Sequence, residues 1–171
     1  MGRSTGWVGD SRMILSTKED IEAPIDEVFA ALSDFEGFER AALRRGAEVQ
    51  RTDQSRVTGV GAVWKLGFTY RNKRRNMVAR LAAMDAPHTL IFTGTGKSIS
   101  GQLGVDLVAL SRRRTRVTVK LEIKPITLVA RIYLQSLRLT KTRVTERFAK
   151  RVKALAVSID DRLRTPALGP T

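Results

Sequence analysis

The chain holds few side chains that could carry out acid–base, nucleophilic or metal chemistry. It has no cysteine and one histidine, His88, so disulfides, thiolate nucleophiles and cysteine or multi-histidine metal sites are excluded. His88 follows Asp85-Ala86-Pro87, which is a turn sequence. We therefore expect it to be a solvated loop residue rather than a catalytic base. The composition implies no metal and no other cofactor, and no residue is assigned a catalytic role from it.

Three further polar features have ordinary structural explanations. Asp106 lies on the polar face of a predicted strand and should be exposed. Asp20 and Glu22 lie near the end of the first predicted strand, and spacing fixes no partner for them. The segment GTGKSISG (94–101) has the composition of a phosphate-binding loop. It lacks the spacing of such a loop and joins two predicted strands, so we interpret it as a hairpin turn.

The net charge is strongly positive and unevenly distributed. The 31 Lys and Arg exceed the 17 Asp and Glu by 14. Residues 112–153 hold fourteen basic residues and two acids, so their net charge is +12. Such a field concentrates anions, among them acidic lipid, nucleic acid and acidic protein partners. The alternative is a solvated Arg-rich surface without a specific partner, as in many proteins from genomes rich in G and C.

The last third of the chain predicts one long C-terminal helix from Thr127 to Arg164. Apolar residues recur there at steps of three and four, which is the period of one helix face. The members of this stripe are Ala130, Tyr133, Leu137, Val144, Phe148, Val152, Leu155, Ile159 and Leu163. The stripe stays in phase across residues 140–142, which favours a continuous helix.

The length of this helix raises a geometric problem. A straight helix over this segment would be roughly 55 Å long, whereas a domain of this size is roughly 40 Å across. The helix must therefore bend, break near residues 140–142 or extend beyond the sheet. Its first half also carries apolar residues off the stripe, which require a second cover from the sheet rim, a partner subunit in a homodimer, or lipid. These residues are Leu128, Val129, Ile132, Leu134 and Leu139.

The segments before this helix predict one strand, two short helices and six further strands. The first strand covers residues 13–22. Pro24 suits the first turn of the first helix, and Asp34 can cap the second, which ends at Gly46. The later strands are predicted at residues 47–52, 62–71, 76–84, 89–96, 100–110 and 115–124.

Alternation of apolar and polar residues in these strands indicates an antiparallel sheet with one solvated face. In the strand that contains Met77, Ala79, Leu81 and Ala83, these four residues are predicted to share one face. Pro125 ends the last strand, and Thr127 can cap the helix that follows.

The segment EAPIDEVFAALSDFEGF (22–38) resembles the helix-grip superfamily, which is also called SRPBCC or START-like. The matching positions are Ala23-Pro24, Val28-Phe29, Leu32 and Asp34. The order of the later strands and of the terminal helix also agrees, so the resemblance covers residues 13–164. Within that group the chain is similar to bacterial polyketide cyclase/dehydrase-like and coenzyme-Q-binding-like proteins.

This resemblance implies an α+β fold in which a curved seven-stranded antiparallel sheet wraps around the long C-terminal helix, with two short helices after strand 1. It also implies a cavity for an apolar ligand between the sheet and that helix. The predicted lining residues are Phe29, Phe38, Trp64, Leu66, Phe68, Tyr70, Phe92, Tyr133, Leu137, Val144 and Phe148. The same spacing suits a filled core, in which case the chain would be an interaction protein without a ligand.

The leading functional hypothesis is binding or transport of a small hydrophobic ligand, such as a lipid, a quinone or a polyketide-like molecule, without catalysis. Because one fold hosts many functions, the alternative is a polyketide cyclase/dehydrase-like enzyme. In such an enzyme Tyr70, Tyr133 and Gln135 are the candidates for polar groups that position a reactive chain.

The outer face of the terminal helix is predicted to be basic, and a basic amphipathic helix can lie on an anionic membrane. Each Lys or Arg near such a surface adds about 1 kcal/mol of attraction. Nucleic acid is the weaker hypothesis, because no nucleic-acid module is recognisable and aromatic residues are not interleaved with the basic ones. The basic residues are Arg131, Arg138, Lys141, Arg143, Arg147, Lys150, Arg151 and Lys153.

We expect a single domain over residues 13–164, between a loose arm of residues 1–12 and a disordered tail of residues 165–171. Met13 is an alternative start. No apolar run reaches the length of a membrane span, and residues 1–12 lack the apolar core of a signal peptide. The expected location is the cytoplasm, at the periphery of the membrane where the basic helix meets lipid.

Overall fold

Two helices follow the first strand and two more end the described chain. The computed structural model describes residues 11–53 and 59–165, so most of the predicted arm and tail lies outside the described residues. The elements are β1 (Met13–Ile21), α1 (Ile25–Leu32), α2 (Phe35–Arg44), β2 (Glu48–Arg51), β3 (Val63–Tyr70), β4 (Lys73–Asp85), β5 (Thr89–Gly96), β6 (Ile99–Ser111), β7 (Arg114–Pro125), α3 (Leu128–Arg138) and α4 (Lys141–Arg164).

All seven strands form one antiparallel sheet in the order β1-β7-β6-β5-β4-β3-β2. Strands β2 to β7 are joined as consecutive neighbours, whereas β1 pairs with β7. Because β1 and β2 lie at opposite edges, the connection between them must cross the sheet, and α1 and α2 make that crossing. The curved sheet, the two helices after β1 and the long last helix confirm the predicted helix-grip fold.

The core lies between the inner face of the sheet and helices α1 and α4. On β7, Val117 and Val119 point inward and are 4% and 7% exposed, while Lys120 faces solvent. Val28 of α1 and Ile159 of α4 are fully buried. The alternation predicted from sequence therefore gives each strand one face that removes apolar area from water, at roughly 25 cal/mol per Å².

Both predicted helix caps are present. The Thr127 hydroxyl accepts a hydrogen bond from the Ala130 N–H at 3.1 Å, and an Asp34 carboxylate oxygen accepts one from the Gly37 N–H at 3.0 Å. A Cβ at residue 37 would lie 2.1 Å from the other Asp34 oxygen. Glycine inside the first turn of α2 therefore lets the cap close, at some cost in helix propensity.

A β-bulge corrects one predicted face. The register between β4 and β5 shifts between Leu81 and Ala83, so that Met84 rather than Ala83 lies opposite the buried Leu90. The prediction that Ala83 shares the face of Leu81 was therefore wrong. The reason is that a bulge adds one residue to one strand, which reverses the side to which every later side chain points.

The predicted single C-terminal helix is two helices. Helix α3 ends at Arg138 and α4 begins at Lys141, although the apolar stripe stays in phase across the junction. The Thr140 hydroxyl lies 3.3 Å from the Leu137 carbonyl, and the Thr140 N–H donates to the same oxygen at 3.1 Å. These local bonds replace the α-helical pattern. The 24 residues of α4 are roughly 36 Å long, which fits the domain.

Asp53 links the end of β2 to β3, and its titration gives an acid-stability prediction. Hydrogen bonds from the Arg51 guanidinium, and then from the Val63 N–H at 3.2 Å, lower the pKa of Asp53 from 3.8 to about 2. A carboxyl whose pKa falls on folding stabilises the protein above its unfolded pKa, and this contribution disappears as the pH falls towards 2.

We expect Asp53→Asn to be less stable than the wild type near neutral pH, with the difference shrinking between pH 4 and pH 2. Urea denaturation followed by circular dichroism at several pH values measures this difference. A difference that stays constant down to pH 2 would contradict the proposed role of the Asp53 charge.

Candidate ligand-binding cavity

A cavity of about 580 Å³ lies between the inner face of the sheet and helix α2. This volume falls within the range of small-molecule sites, roughly 300 to 1,000 Å³. Strands β2 to β7 supply most of its wall, and most of the lining side chains are apolar. The lining residues are Leu32, Phe35, Phe38, Glu39, Ala42, Val49, Trp64, Leu66, Met77, Ala79, Leu90, Phe92, Thr93, Gly94, Ile99, Ser100, Gly101, Gln102, Leu103, Val105, Leu121, Ile123 and Leu155.

Short side chains at inward positions leave this space open. Ala79, Gly94 and Gly101 line the cavity from the sheet, and Ala42 lines it from α2. Gly94 and Gly101 are partners across β5 and β6. A Cβ at residue 101 would lie 2.7 Å from a carbonyl oxygen of β7, so the close approach of two strands requires glycine there.

Three aromatic rings form one wall of the cavity. Phe35 of α2 meets Trp64 of β3 edge-on, with ring centroids 5.5 Å apart. Phe35 also meets Phe92 of β5 edge-on at 6.0 Å, and Trp64 lies 6.3 Å from Phe92. Edge-to-face pairs of this kind add about 0.5–1.5 kcal/mol beyond their buried area. The cluster therefore holds α2 against the sheet and presents a rigid aromatic surface to the cavity.

Of the predicted lining residues, four contribute to this cavity: Phe38, Trp64, Leu66 and Phe92. Phe29 is instead packed in the core, 5% exposed. Phe68 and Tyr70 have the inward parity of β3 but are 38% and 46% exposed, because β3 runs past the covered part of the sheet towards its hairpin.

The terminal helices contribute much less to the cavity than expected. Tyr133, Leu137, Val144 and Phe148 are partly buried on α3 and α4 but do not line it. Leu155 is the lining residue from α4. Val152, Ala156 and Ile159 of α4 are buried in the core, so this helix fills the space it was expected to leave open. The cavity lies under α2 instead.

The three polar candidates for catalysis lie away from the cavity. The hydroxyls of Tyr70 and Tyr133 are 3.0 Å apart, and the Arg71 guanidinium lies 5.6 and 5.3 Å from the two ring centroids. Burial, and then the hydrogen bond with Tyr70, raises the pKa of Tyr133. Gln135 is exposed. The tyrosines therefore join the β3–β4 hairpin to α3, and neither phenol reaches the cavity wall.

The remaining polar candidates have structural surroundings. His88 and Asp106 are exposed, and Asp106 accepts a hydrogen bond from the Thr89 hydroxyl at 3.1 Å. Asp20 accepts hydrogen bonds from Arg116 at 2.8 Å and from Arg114 at 2.9 Å, and these bonds lower its pKa.

The glycine- and lysine-containing segment 94–101 spans the β5–β6 hairpin, as predicted. Within residues 11–53 and 59–165, no group of three or more potential carboxylate or histidine ligands is arranged for a metal ion.

All eight residues of the predicted basic surface are exposed. On α3, Arg131 and Arg138 flank apolar side chains that are themselves exposed. Leu128, Val129, Ile132 and Leu139 are 70%, 78%, 59% and 89% exposed, whereas Leu134 is buried. These apolar residues of the first half were predicted to need burial against a second surface. Of the five, only Leu134 is buried. Among the described helices, none is long and apolar enough to cross a membrane.

Solved structures share this architecture. The ZhuI aromatase/cyclase from Streptomyces sp. R1128 aligns with a TM-score of 0.65 at 14% identity, covering 94% of this chain and 99% of that one. Norcoclaurine synthase from Thalictrum flavum aligns at 0.64 and 11% identity, covering 91% and 95%. The protein TTHA0849 from Thermus thermophilus aligns at 0.61 and 16%, covering 86% and 97%. At such identities the likeness establishes the fold alone.

The sequence itself carries a family signal. No curated protein matches the chain in sequence. The profile of a family described as polyketide cyclase / dehydrase and lipid transport matches residues 12–158. That match spans β1 to most of α4 and includes every element that lines the cavity. The chain therefore belongs to the polyketide cyclase/dehydrase and lipid transport family of the SRPBCC superfamily.

Proposed function

We propose that this protein binds a small, largely apolar ligand in the cavity under α2 and carries it without chemical change. The cavity itself carries the proposal, because about 580 Å³ is lined by mostly apolar side chains and an aromatic wall. A ligand that covers this surface gains roughly 25 cal/mol for each Å² of apolar area removed from water. The family description, which includes lipid transport, agrees with this role.

A cyclase or dehydrase is the second candidate function. It is favoured by one ionisable side chain, Glu39, on an otherwise mostly apolar wall. The ZhuI structure is that of an aromatase/cyclase. A folded polyketide-like chain held against a carboxylate would meet the positional requirement of general base catalysis.

Native mass spectrometry of the protein purified from cells, followed by organic extraction, tests the carrier proposal. A ligand of constant mass that co-purifies and is recovered unchanged supports it. Turnover of an added polyketide-like compound would support the enzyme instead. A protein that remains free of ligand and binds no apolar probe would contradict both functions.

We further propose that α3 contacts anionic membranes during ligand exchange. Its exposed Leu128, Val129 and Ile132 form an apolar surface, and Arg131 and Arg138 of the same helix are also exposed. Apolar side chains enter the acyl boundary of a bilayer while neighbouring cations attract its anionic headgroups. This combination of burial and charge fits an acidic lipid surface better than a neutral one.

Replacing Val129 and Ile132 by glutamate should weaken binding to vesicles that contain phosphatidylserine by at least about tenfold. The reason is that two apolar anchors are lost and two negative charges are placed against an anionic lipid surface. Sedimentation with vesicles at low salt measures this. The control is Val108→Glu, because Val108 on β6 is 57% exposed, close to the 59% of Ile132; this variant should bind like the wild type.

The absence of wild-type binding to acidic vesicles at low salt would rule out the membrane proposal. Light scattering of the same samples distinguishes the other cover for α3, since a stable dimer would bury the apolar surface between two copies.

A further inference from the structure

Glu39 occupies an unusual place for a carboxylate. Helix α2 directs one face at the cavity through Phe35, Phe38, Glu39 and Ala42, which follow steps of three, one and three. An amphipathic helix normally places apolar residues at all such positions. Glu39 is only 26% exposed, and it is the one ionisable residue on the described cavity wall.

The side chain is held in one orientation by β3 and β2. Its Oε1 accepts a hydrogen bond from the Trp64 Nε1–H at 2.6 Å, and an Arg51 guanidinium nitrogen lies 3.9 Å from the same oxygen. The Arg51 guanidinium lies 5.1 Å from the Trp64 ring centroid and donates a hydrogen bond to Asp53. These contacts use one carboxylate oxygen. Within the described part of the chain, Oε2 of Glu39 accepts no hydrogen bond.

A carboxylate offers about four acceptor positions, and leaving one unsatisfied near apolar surface costs roughly 1–3 kcal/mol. Among the described residues no buried side-chain oxygen lacks a partner, so Oε2 is open to water in the empty cavity. A purely apolar ligand would exclude that water and incur the cost, whereas a ligand that donates a hydrogen bond to Oε2 would avoid it. The cavity is therefore built for a mostly apolar molecule with a polar donor at one end.

From this geometry we infer that Glu39 is the polar anchor of the cavity, and that its ligands are aromatic or polycyclic compounds that carry a hydroxyl or amino donor. The aromatic wall of Phe35, Trp64 and Phe92 stacks beside the ring system, and Oε2 of Glu39 accepts the donor. This inference rests on the proposed function, since it names the class of ligand for the same cavity.

A matched pair of probes tests the anchor: 2-naphthol, which can donate a hydrogen bond, and 2-methoxynaphthalene, which has the same rings without a donor. Hydrogen bonds to charged groups are the stronger class. We therefore expect the wild-type protein to bind 2-naphthol about tenfold more tightly than its ether. Titration calorimetry or competition for a fluorescent apolar probe gives both dissociation constants.

Two variants separate the anchor from a structural role. Glu39→Gln keeps the shape and a neutral acceptor, so the preference for 2-naphthol should fall to about threefold. Glu39→Met removes the acceptor and should bring the two dissociation constants to within about twofold. If Glu39 has only a structural role, its replacement would weaken the binding of both probes equally and leave the ratio of their dissociation constants unchanged.

The outcomes also separate the anchor from the binding function. If both probes bind the wild type equally, or if neither variant changes the ratio, the anchor is wrong while ligand binding stands. If neither probe binds the folded wild-type protein, the proposed binding function fails and the anchor fails with it.

Discussion

Replacing Trp64 by alanine is expected to lower the free energy of unfolding by about 3–5 kcal/mol. Trp64 is 6% exposed, and its ring contacts Phe35 and Phe92. Its removal leaves a large void beside an existing cavity, and it also leaves Glu39 without its hydrogen-bond donor. Since a domain is typically stable by only about 5–15 kcal/mol, this change removes a large part of the total.

Urea denaturation monitored by far-ultraviolet circular dichroism measures the loss without relying on tryptophan fluorescence. Phe68→Ala on the same strand is the matched control, because Phe68 is 38% exposed and its truncation should cost less than about 1 kcal/mol. Equal losses for the two variants would show that Trp64 is not a packing centre. Trp64→Phe should recover part of the stability, since it restores a ring to the aromatic cluster.

Filling the cavity should weaken ligand binding strongly while leaving the fold intact. In the double variant Ala42→Phe/Ala79→Phe, one new ring enters from α2 and the other from β4, because both alanines line the cavity. The rings occupy space that a ligand would need. Binding of 2-naphthol should therefore weaken by about 100-fold or more, which corresponds to about 2.8 kcal/mol.

The stability of the double variant should remain within about 1–3 kcal/mol of the wild type, since the added groups enter empty space rather than a packed core. Ala109→Phe is the control for the substitution itself, because Ala109 is exposed on β6 and does not line the cavity. Undiminished binding by the filled double variant would place the ligand elsewhere and contradict the proposed site.

Periodicity was sufficient to predict most of the secondary structure. Strand alternation located every strand to within a few residues, and the Asp34 and Thr127 caps begin their helices as expected. These features depend on neighbours close in sequence, because backbone geometry imposes the periods of 2 and 3.6 residues. The bulge after Leu81 was not predicted, and a break near residues 140–142 was only one of three alternatives for the long helix. Each is a local departure that the hydrophobic pattern does not mark.

The cavity could be predicted only in part, for a different reason. Trp64 and Phe92 lie on the inward faces of their strands. Residues at this spacing can either line a cavity or fill a core, so the spacing does not distinguish the two. The outcome depends on how far α2 and α4 lie from the sheet, and helix α4 packs closely through Ala156 and Ile159. Glu39 is recognisable in the sequence as a charged residue on the apolar face of α2. Its role as an anchor could not be predicted, because that role depends on the position of Trp64.

Sequence alone was enough to predict the α+β order, the faces of the strands except beyond the bulge in β4, the caps of two helices, the family and the basic surface of the last third. Only the folded arrangement shows which apolar residues line the cavity and which are packed into the core. It also joined Glu39 to Trp64, 25 residues away, and Tyr70 to Tyr133, 63 residues away. Local periods follow from backbone geometry. Contacts between residues so far apart in sequence form only when the whole sheet folds around its helices.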